Sequence, residues 1–210
     1  MPGKRRSIIR FLAALPLLAL GACVEGVTVP SGTSDFIVVS DFAVPEGAVH
    51  LDTSFGFSLS RGSQGVPQEQ RAASIGRAVG FLVTDAITER LRAQGYDAAS
   101  TTDPEPRPGG RALIVTGRFR TIDEGRRRRV GDENSAVIAE VQIKAQIPGR
   151  ALATVQSFAV DSRTAPRVAA RSAATRRETG VDADATRIGA EIARVVADVA
   201  RRNNWLPARR

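Results

Sequence analysis

The spacing of apolar residues predicts two long helices. From Pro67 onward, apolar residues recur at intervals of three and four, which predicts a helix over about 67–94 with one buried face. The same spacing near the other end of the chain predicts a second helix over about 183–203. We expect Asp182 or Asp184 to cap that helix, because a carboxylate accepts hydrogen bonds from the free amides of a first turn.

Four other segments have the pattern of strands. A β-branched run at 36–42 and an apolar run at 112–119 each predict a buried strand. Strict alternation over 135–147 predicts a half-buried strand, and 151–160 returns as its partner after the Pro148-Gly149 turn. The elements predict the α/β (α+β) class. We expect a mixed sheet of about four strands, with a three-strand antiparallel meander and both helices on one face.

The N-terminus has the layout of a secretory signal peptide. Basic residues at 4–6 precede an apolar run of about a dozen residues, which is too short for a spanning helix of ~20. This run leads to Cys23, the only cysteine in the chain. The small-residue stretch before it consists of Leu20, Gly21 and Ala22. The arrangement resembles the bacterial lipoprotein box, which implies that Cys23 is acylated with fatty acids such as palmitate; a secreted protein with an incidental cysteine is the alternative.

This interpretation predicts three parts of the chain: a lipoprotein signal peptide over 1–22, a lipidated tether over 23–34 and a single α/β domain over 35–206. Two or three acyl chains hold a protein stably at a bilayer. A residue other than Asp after the cysteine, here Val24, resembles the enterobacterial signal for the outer membrane. We therefore expect a lipid-anchored protein that faces the periplasm from the bacterial outer membrane.

Composition narrows the possible functions. The chain has 210 residues, with 30 Lys and Arg against 22 Asp and Glu, for a net charge of +8. Four of the basic residues and none of the acidic ones lie in the first 22 positions, so the rest of the chain carries only +4. This modest charge and the few aromatic residues argue against a nucleic-acid partner. One cysteine and one histidine exclude an internal disulfide and a Cys/His zinc site, and we expect no cofactor or metal.

Candidate catalytic groups are sparse. His50 is the single histidine and lies near Asp52, but no G-x-S-x-G elbow accompanies it, so we interpret it as a surface-loop residue. A carboxylate-dependent hydrolase would need a convergent pair of acids with raised pKa values in a cleft. The candidates for that pair are Asp41, Asp123, Glu124 and Asp132. The adjacent acids at 123–124 and 132–133 are more typical of a charged turn.

The most conspicuous local charge is a run of four arginines. These residues are Arg126, Arg127, Arg128 and Arg129. Guanidinium groups match phosphate oxygens, so the run could contact anionic headgroups, lipopolysaccharide phosphates or an acidic partner. A solvated hairpin tip is the alternative, and the acids on both sides favour it. The second predicted helix also has arginines opposite its apolar stripe, but that stripe lacks bulky aromatic residues and favours core packing over a membrane interface.

The order of several motifs resembles a known family. The motifs are Val39-Ser40-Asp41-Phe42, Leu91-Arg92-Ala93-Gln94-Gly95 and the segments 111–119 and 122–125, followed by the arginine run. Together they resemble a family of uncharacterised bacterial lipoproteins that is classed as a domain of unknown function, over roughly 35–200. At fold level the chain is similar to the N-terminal domain of the Tol-system periplasmic protein, and to transport-auxiliary and curli-secretion lipoproteins. These relatives imply a role without enzymatic activity.

We therefore expect a non-enzymatic accessory or binding subunit in cell-envelope transport, secretion or maintenance. Its protein partner would bind at a sheet edge or on the polar face that carries Glu140, Gln142 and Lys144. Two alternatives remain. One is a lipid or small-ligand binding lipoprotein with an apolar pocket near Phe55 and Phe57. The other is the carboxylate-dependent hydrolase.

Overall fold

A computed structural model describes most of the predicted domain. The described residues are 35–52, 65–106, 109–127, 132–133, 135–166 and 180–205. The predicted signal peptide, the lipoprotein box with Cys23 and the aromatic pair Phe55 and Phe57 lie outside these ranges, so they stay predictions. Within the described ranges, no helix is both long and apolar enough to cross a membrane.

The chain forms eight strands and two helices in the described ranges. In chain order they are β1 (Phe36–Ser40), β2 (Val49–His50), α1 (Gln68–Ala93), β3 (Asp97–Thr101), β4 (Ala112–Asp123), β5 (Arg126–Arg127), β6 (Asp132–Glu133), β7 (Ala136–Gln146), β8 (Ala153–Asp161) and α2 (Val181–Arg202). This arrangement confirms the mixed α and β class. Both predicted helices are present, and their bounds differ from the predicted ones by only one or two residues.

The main sheet has six strands, in the order β3-β1-β4-β7-β8, with β2 paired to one end of β4. β1 is parallel to both of its neighbours, whereas β4, β7 and β8 form the predicted antiparallel meander. The prediction of about four strands was too low because it missed β2 and β3. β2 has only two residues, and β3 has the sequence DAAST, which shows no run of β-branched or aromatic residues.

Both helices pack on one face of the sheet, as predicted. The alternation in β7 points Val137, Ala139, Val141 and Ile143 into the same core as the apolar faces of α1 and α2. The apolar stripe of α2 is therefore buried in the protein rather than lying in a membrane interface. The two helices touch closely at Gly189, where an added Cβ would lie 2.7 Å from Cβ of Ala86.

The caps differ from their predictions in detail. Pro67 is the N-cap of α1 rather than its first helical residue, and Gly95 follows the helix with a positive φ of 89°. Gly180 is the N-cap of α2, so neither Asp182 nor Asp184 caps that helix. Both acids lie in its first turn, where negative charge is favourable, and the Asp184 side chain points instead toward the sheet.

Candidate functional site

The arginine run begins in a small hairpin. The backbones of β5 and β6 pair antiparallel, so Arg126 lies opposite Glu133 and Arg127 lies opposite Asp132. The register therefore places an acidic residue opposite each of these two arginines. Arg128 and Arg129 lie outside the described residues, and a contact of the run with an anion or a partner stays a prediction.

The candidate hydrolase carboxylates mostly support backbone. Oδ1 of Asp123 accepts a hydrogen bond from the Gly125 amide at 2.9 Å, and Oε2 of Glu124 accepts one from the Asp52 amide at 3.1 Å. Asp41 is exposed at the end of β1. Among the described residues, no group of three or more His, Cys, Asp or Glu side chains could hold a metal ion. These contacts give Asp123 and Glu124 roles in shaping turns.

His50 lies on the surface, as expected, although in a strand rather than a loop. It is exposed in β2, where it lies beside Asp123 of β4, and its carbonyl accepts a hydrogen bond from the Glu124 amide at 3.0 Å. This contact uses only its backbone. The sequence did not indicate this pairing, because a two-residue strand has no periodicity.

The polar face of the sheet carries a compact ion-pair group. Glu140 of β7 lies opposite Arg118 of β4, whose Nη2 is 2.7 Å from a Glu140 oxygen, and Nε of Arg120 is 3.5 Å from the other oxygen. Gln142 is exposed and Lys144 is half-buried on the same face. Two cations thus offset the single carboxylate, and exposed pairs of this kind contribute little stability. The predicted partner face is therefore weakly basic at its centre.

In the described part of the chain, the β8 edge of the sheet is open. β8 has nine residues and pairs with β7 on one side, while no described strand pairs with it on the other. Residues 153–160 contain no charge and no proline, and most of them are exposed. Exposed edges without such protection are templates for the addition of another strand. The sequence showed the strand, but only the strand order shows that it lies at an edge.

A groove runs beside this edge, between β8 and α2. It has a volume of about 230 Å³. Its lining includes Phe158 and Val160 from β8, Ala165 from the following turn, and Glu191 and Val195 from α2. An edge strand with a groove next to it offers backbone hydrogen bonds and a place for alternate side chains of an extended peptide.

A polar clasp fixes the far end of β8. The clasp consists of Ser135, Ser162, Asp184 and Arg187. The Ser135 hydroxyl donates to Oδ2 of Asp184 at 2.5 Å, and Nη1 of Arg187 donates both to Oδ1 of Asp184 at 2.8 Å and to the Ser162 carbonyl at 2.9 Å. Oγ of Ser162 in turn accepts a hydrogen bond from the Val137 amide at 3.0 Å. The clasp holds the end of β8 against α2.

A larger groove lies at the N-terminal end of α1. It has a volume of about 910 Å³ and is open to solvent. The loop between β1 and β2 and the first turns of α1 line it, with Val44, Val49, Leu51, Ala72, Ala73 and Arg77. The prediction of an apolar pocket between helix and sheet named Phe55 and Phe57, which lie outside the described residues. The described lining is apolar with a few charges, as in many ligand sites.

Comparisons with known proteins assign no family. No protein-family model matches the chain, and no curated protein matches it. Among solved structures, the fold aligns with a neuraminyllactose-binding hemagglutinin homolog from Helicobacter pylori, at 11% identity and a TM-score of 0.37 over 87% of this chain and 96% of that chain. It also aligns with the hypothetical protein CT253 from Chlamydia trachomatis, at 10% identity and a TM-score of 0.33 over 81% of this chain and 95% of that chain. Structural similarity this low supports no conclusion about the fold or the function of this chain.

Proposed function

We propose that this protein is a lipid-anchored, non-enzymatic binding subunit of the bacterial cell envelope. It faces the periplasm from the outer membrane and takes part in envelope transport, secretion or maintenance. The observation that carries the proposal is the open β8 edge, which lies beside the groove against α2. An extended segment of an envelope protein adds to this edge as a further strand.

The chemistry of the edge supports a peptide as the occupant. Backbone amides and carbonyls along β8 supply hydrogen bonds that any extended chain can satisfy, and they require no particular side chain. Phe158 and Val195 in the adjacent groove are only partly buried, so an apolar side chain of the partner would cover them. Burial of this apolar surface favours binding, whereas the hydrogen bonds set the alignment.

The anchor rests on the sequence of the lipoprotein box. Acylation of Cys23 predicts that the full chain stays in the membrane fraction and that Cys23→Ala leaves it. The mass of the N-terminal peptide reports the acyl chains directly. An unmodified Cys23 in the mature protein would remove the anchor from the proposal and leave the β8 edge to be tested by itself.

The binding role is tested by blocking the edge. The variant combines Ser157→Lys and Ala159→Lys, since both side chains are exposed on β8 and lysine protects natural edges. Tagged full-length protein is purified from solubilised envelopes, and the bound partner is quantified. We expect about a tenfold or greater loss of partner, equivalent to ~1.4 kcal/mol or more of binding free energy.

The matched control adds the same charge at the other edge of the sheet. It combines Ser100→Lys at β3 with Thr102→Lys just beyond it, and both residues are exposed. Partner retention by this control, with unchanged thermal unfolding of both variants, supports the role of β8. Equal loss in both variants, or full retention in both, would show that the partner binds elsewhere.

The groove at the N-terminal end of α1 favours a second candidate, a lipid or small-ligand binding protein. A volume of about 910 Å³ is large enough for an acyl chain or a drug-sized molecule. The test is native mass spectrometry of the full chain purified in mild detergent, compared with Ala73→Trp, which fills the groove. A bound small molecule that this variant loses would support the ligand role, whereas its absence from the unsubstituted chain contradicts it.

A further inference from the structure

The start of β1 lies at the same end of the molecule as the ends of several other strands. Phe36 at the start of β1 pairs with Asp97 and with Ala112, which are the first residues of β3 and β4. Ala112 in turn pairs with Gln146 at the end of β7, next to the turn that leads into β8. We call this end the tether pole, because Asp35 is the described residue nearest to Cys23 along the chain.

Both helices also end at the tether pole. α1 leads directly into β3, with the Tyr96 amide hydrogen-bonded to the Leu91 carbonyl at 3.1 Å. Arg111 joins the end of α2 to the start of β1. Its Nη1 is 2.9 Å from Asp35, its Nη2 donates to the Asn203 carbonyl at 3.2 Å, and its guanidinium lies 4.1 Å from the ring centroid of Trp205. The tether therefore leaves the domain beside the C-terminus of α2.

The tether pole is rich in exposed arginine. The exposed arginines there are Arg90, Arg92, Arg150, Arg201 and Arg202, of which Arg92 donates its Nε hydrogen bond to the Ala98 carbonyl. Arg201 pairs with Asp198, and Arg202 donates to the uncharged Gln156 side chain at 2.9 Å. In the described part of the chain, no carboxylate lies within ion-pair distance of Arg90 or Arg150. The negative C-terminal ends of the helices explain why Arg90, Arg201 and Arg202 lie at this end of the molecule. They do not explain Arg150, which lies in the β7–β8 turn.

The same turn also exposes an apolar residue. The Leu152 side chain is 51% exposed, two positions after Arg150. By contrast, the charge on the outer side of α2 is neutralised locally, since Arg194 bonds to both Glu191 and Asp198. The hydrogen bond and the attraction from Glu191 raise the pKa of Arg194. Unpaired arginine beside an exposed leucine is thus a property of the tether pole, not of the outer side of this helix.

We propose that the tether pole docks on an anionic phospholipid surface, with the arginines among the headgroups and Leu152 in the interface. The inference rests on the proposed anchor at Cys23. Eleven residues, 24–34, lie between Cys23 and Asp35, and a random-coil chain of that length spans about 20 Å. The tether thus keeps the pole near the headgroups, where arginine is attracted to anionic lipid.

Docking in this orientation would also place the opposite end of the domain far from the membrane. β4 has 12 residues and runs away from the tether pole, a distance of about 35–40 Å at ~3.3 Å per residue. The hairpin that begins at Arg126 would therefore lie too far from the headgroups to be attracted by them, because salt screens electrostatic attraction over that distance. An acidic protein partner then becomes the better candidate for the arginine run.

The test uses the full, lipidated chain reconstituted into vesicles of phosphatidylcholine with or without phosphatidylglycerol. Ala151→Cys carries an environment-sensitive fluorophore at the tether pole, and Glu46→Cys carries the same fluorophore beyond the opposite end of β1. The mass of the N-terminal peptide first confirms acylation of Cys23. We expect a blue-shifted emission at position 151 alone, only with phosphatidylglycerol, and reversed by high salt.

The charge variant combines Arg90→Gln, Arg150→Gln, Arg201→Gln and Arg202→Gln, and we expect it to lower the docked fraction about tenfold or more. The matched control removes four charges elsewhere, by Arg77→Gln, Arg118→Gln, Arg120→Gln and Arg163→Gln, and should dock normally. Equal signals in neutral and anionic vesicles, or a signal that survives the charge variant, would overturn the inference. So would a mature chain without acyl groups. Partner retention through β8 is measured separately, so the two proposals fail independently.

Discussion

The two edges of the sheet are protected to very different degrees. β3 has five residues, and an arginine blocks its backbone, since Nε of Arg92 donates to the Ala98 carbonyl at 2.7 Å. Two prolines, Pro104 and Pro106, follow shortly after it. β8 is almost twice as long, and between 153 and 160 no described side chain bonds to its backbone. Among the described residues, one edge is thus closed by the chain itself, whereas nothing pairs with the other.

The difference supports the proposal that a partner strand binds at the β8 edge. An unprotected strand promotes aggregation, so natural proteins usually protect it by short length, charge or proline. This chain uses the first and third of these means, together with the Arg92 contact, at β3 and none of them along 153–160. An exposed edge beside a groove that can accept side chains is what strand addition by a partner requires.

The largest expected difference in unfolding free energy is between substitutions at the sheet centre and at the β8 edge. Phe119 is fully buried and its ring centroid lies 5.7 Å from that of Phe42, so Phe119→Ala should cost about 3–5 kcal/mol of unfolding free energy. Phe158 on β8 is only partly buried, and Phe158→Ala should cost about 1–2 kcal/mol. Urea denaturation measures both. Equal losses would mean that β8 is packed like a central strand and is not an open edge.

The clasp at the end of β8 gives the next effect. Asp184 is 5% exposed, and its removal takes away the carboxylate to which both Arg187 and Ser135 donate hydrogen bonds. Because Arg187 is partly exposed, we expect Asp184→Ala to cost about 2–3 kcal/mol, somewhat less than a fully buried ion pair. Hydrogen exchange should also speed up along β8. Asp182→Ala, in the same first turn but exposed, is the control and should cost about 0.5 kcal/mol.

The smallest effect is expected at the closed edge. Arg92→Met removes the hydrogen bond to the Ala98 carbonyl, and we expect a loss of about 1 kcal/mol in thermal unfolding experiments. Arg90→Met, two residues earlier in the same last turn and exposed, should change stability by less than about 0.5 kcal/mol. If the two variants were indistinguishable, Arg92 would not protect β3, and the contrast between the edges would rest on length and proline alone.

The sequence predicted most of the fold wherever a regular spacing of apolar residues extends over many positions. The alternation in β7 and the three-to-four spacing in α1 and α2 each repeat several times, so they identified the elements and their buried faces. β3 was missed because of its five residues only Ala98 is buried in the core. The cap of α2 was misassigned because the Asp184 carboxylate accepts hydrogen bonds from Arg187 and Ser135 rather than from the amides of the first turn. Folding brings Ser135 close to Asp184, and the local sequence does not show this contact.

The candidate site was less accessible from the sequence. The strand over 151–160 was predicted, but its place at the edge follows from the insertion of β1 between β3 and β4, which leaves β8 as the outermost strand. The groove against α2 likewise joins residues such as Phe158 and Val195 that are far apart along the chain. Local patterns carry no information about strand order or about such contacts, so an edge could be proposed from the sequence but not identified.

The position of β1 also determines the order in which the chain can fold. This apolar strand is made early, yet its partners lie at 97–101 and 112–115, so it waits through the synthesis of all of α1 before it can pair. The meander of β4, β7 and β8 needs only nearer contacts and can assemble without it. Insertion of β1 between two later strands therefore needs contacts of high sequence separation, and the apolar Phe36–Val39 segment stays unpaired until both partners have been made.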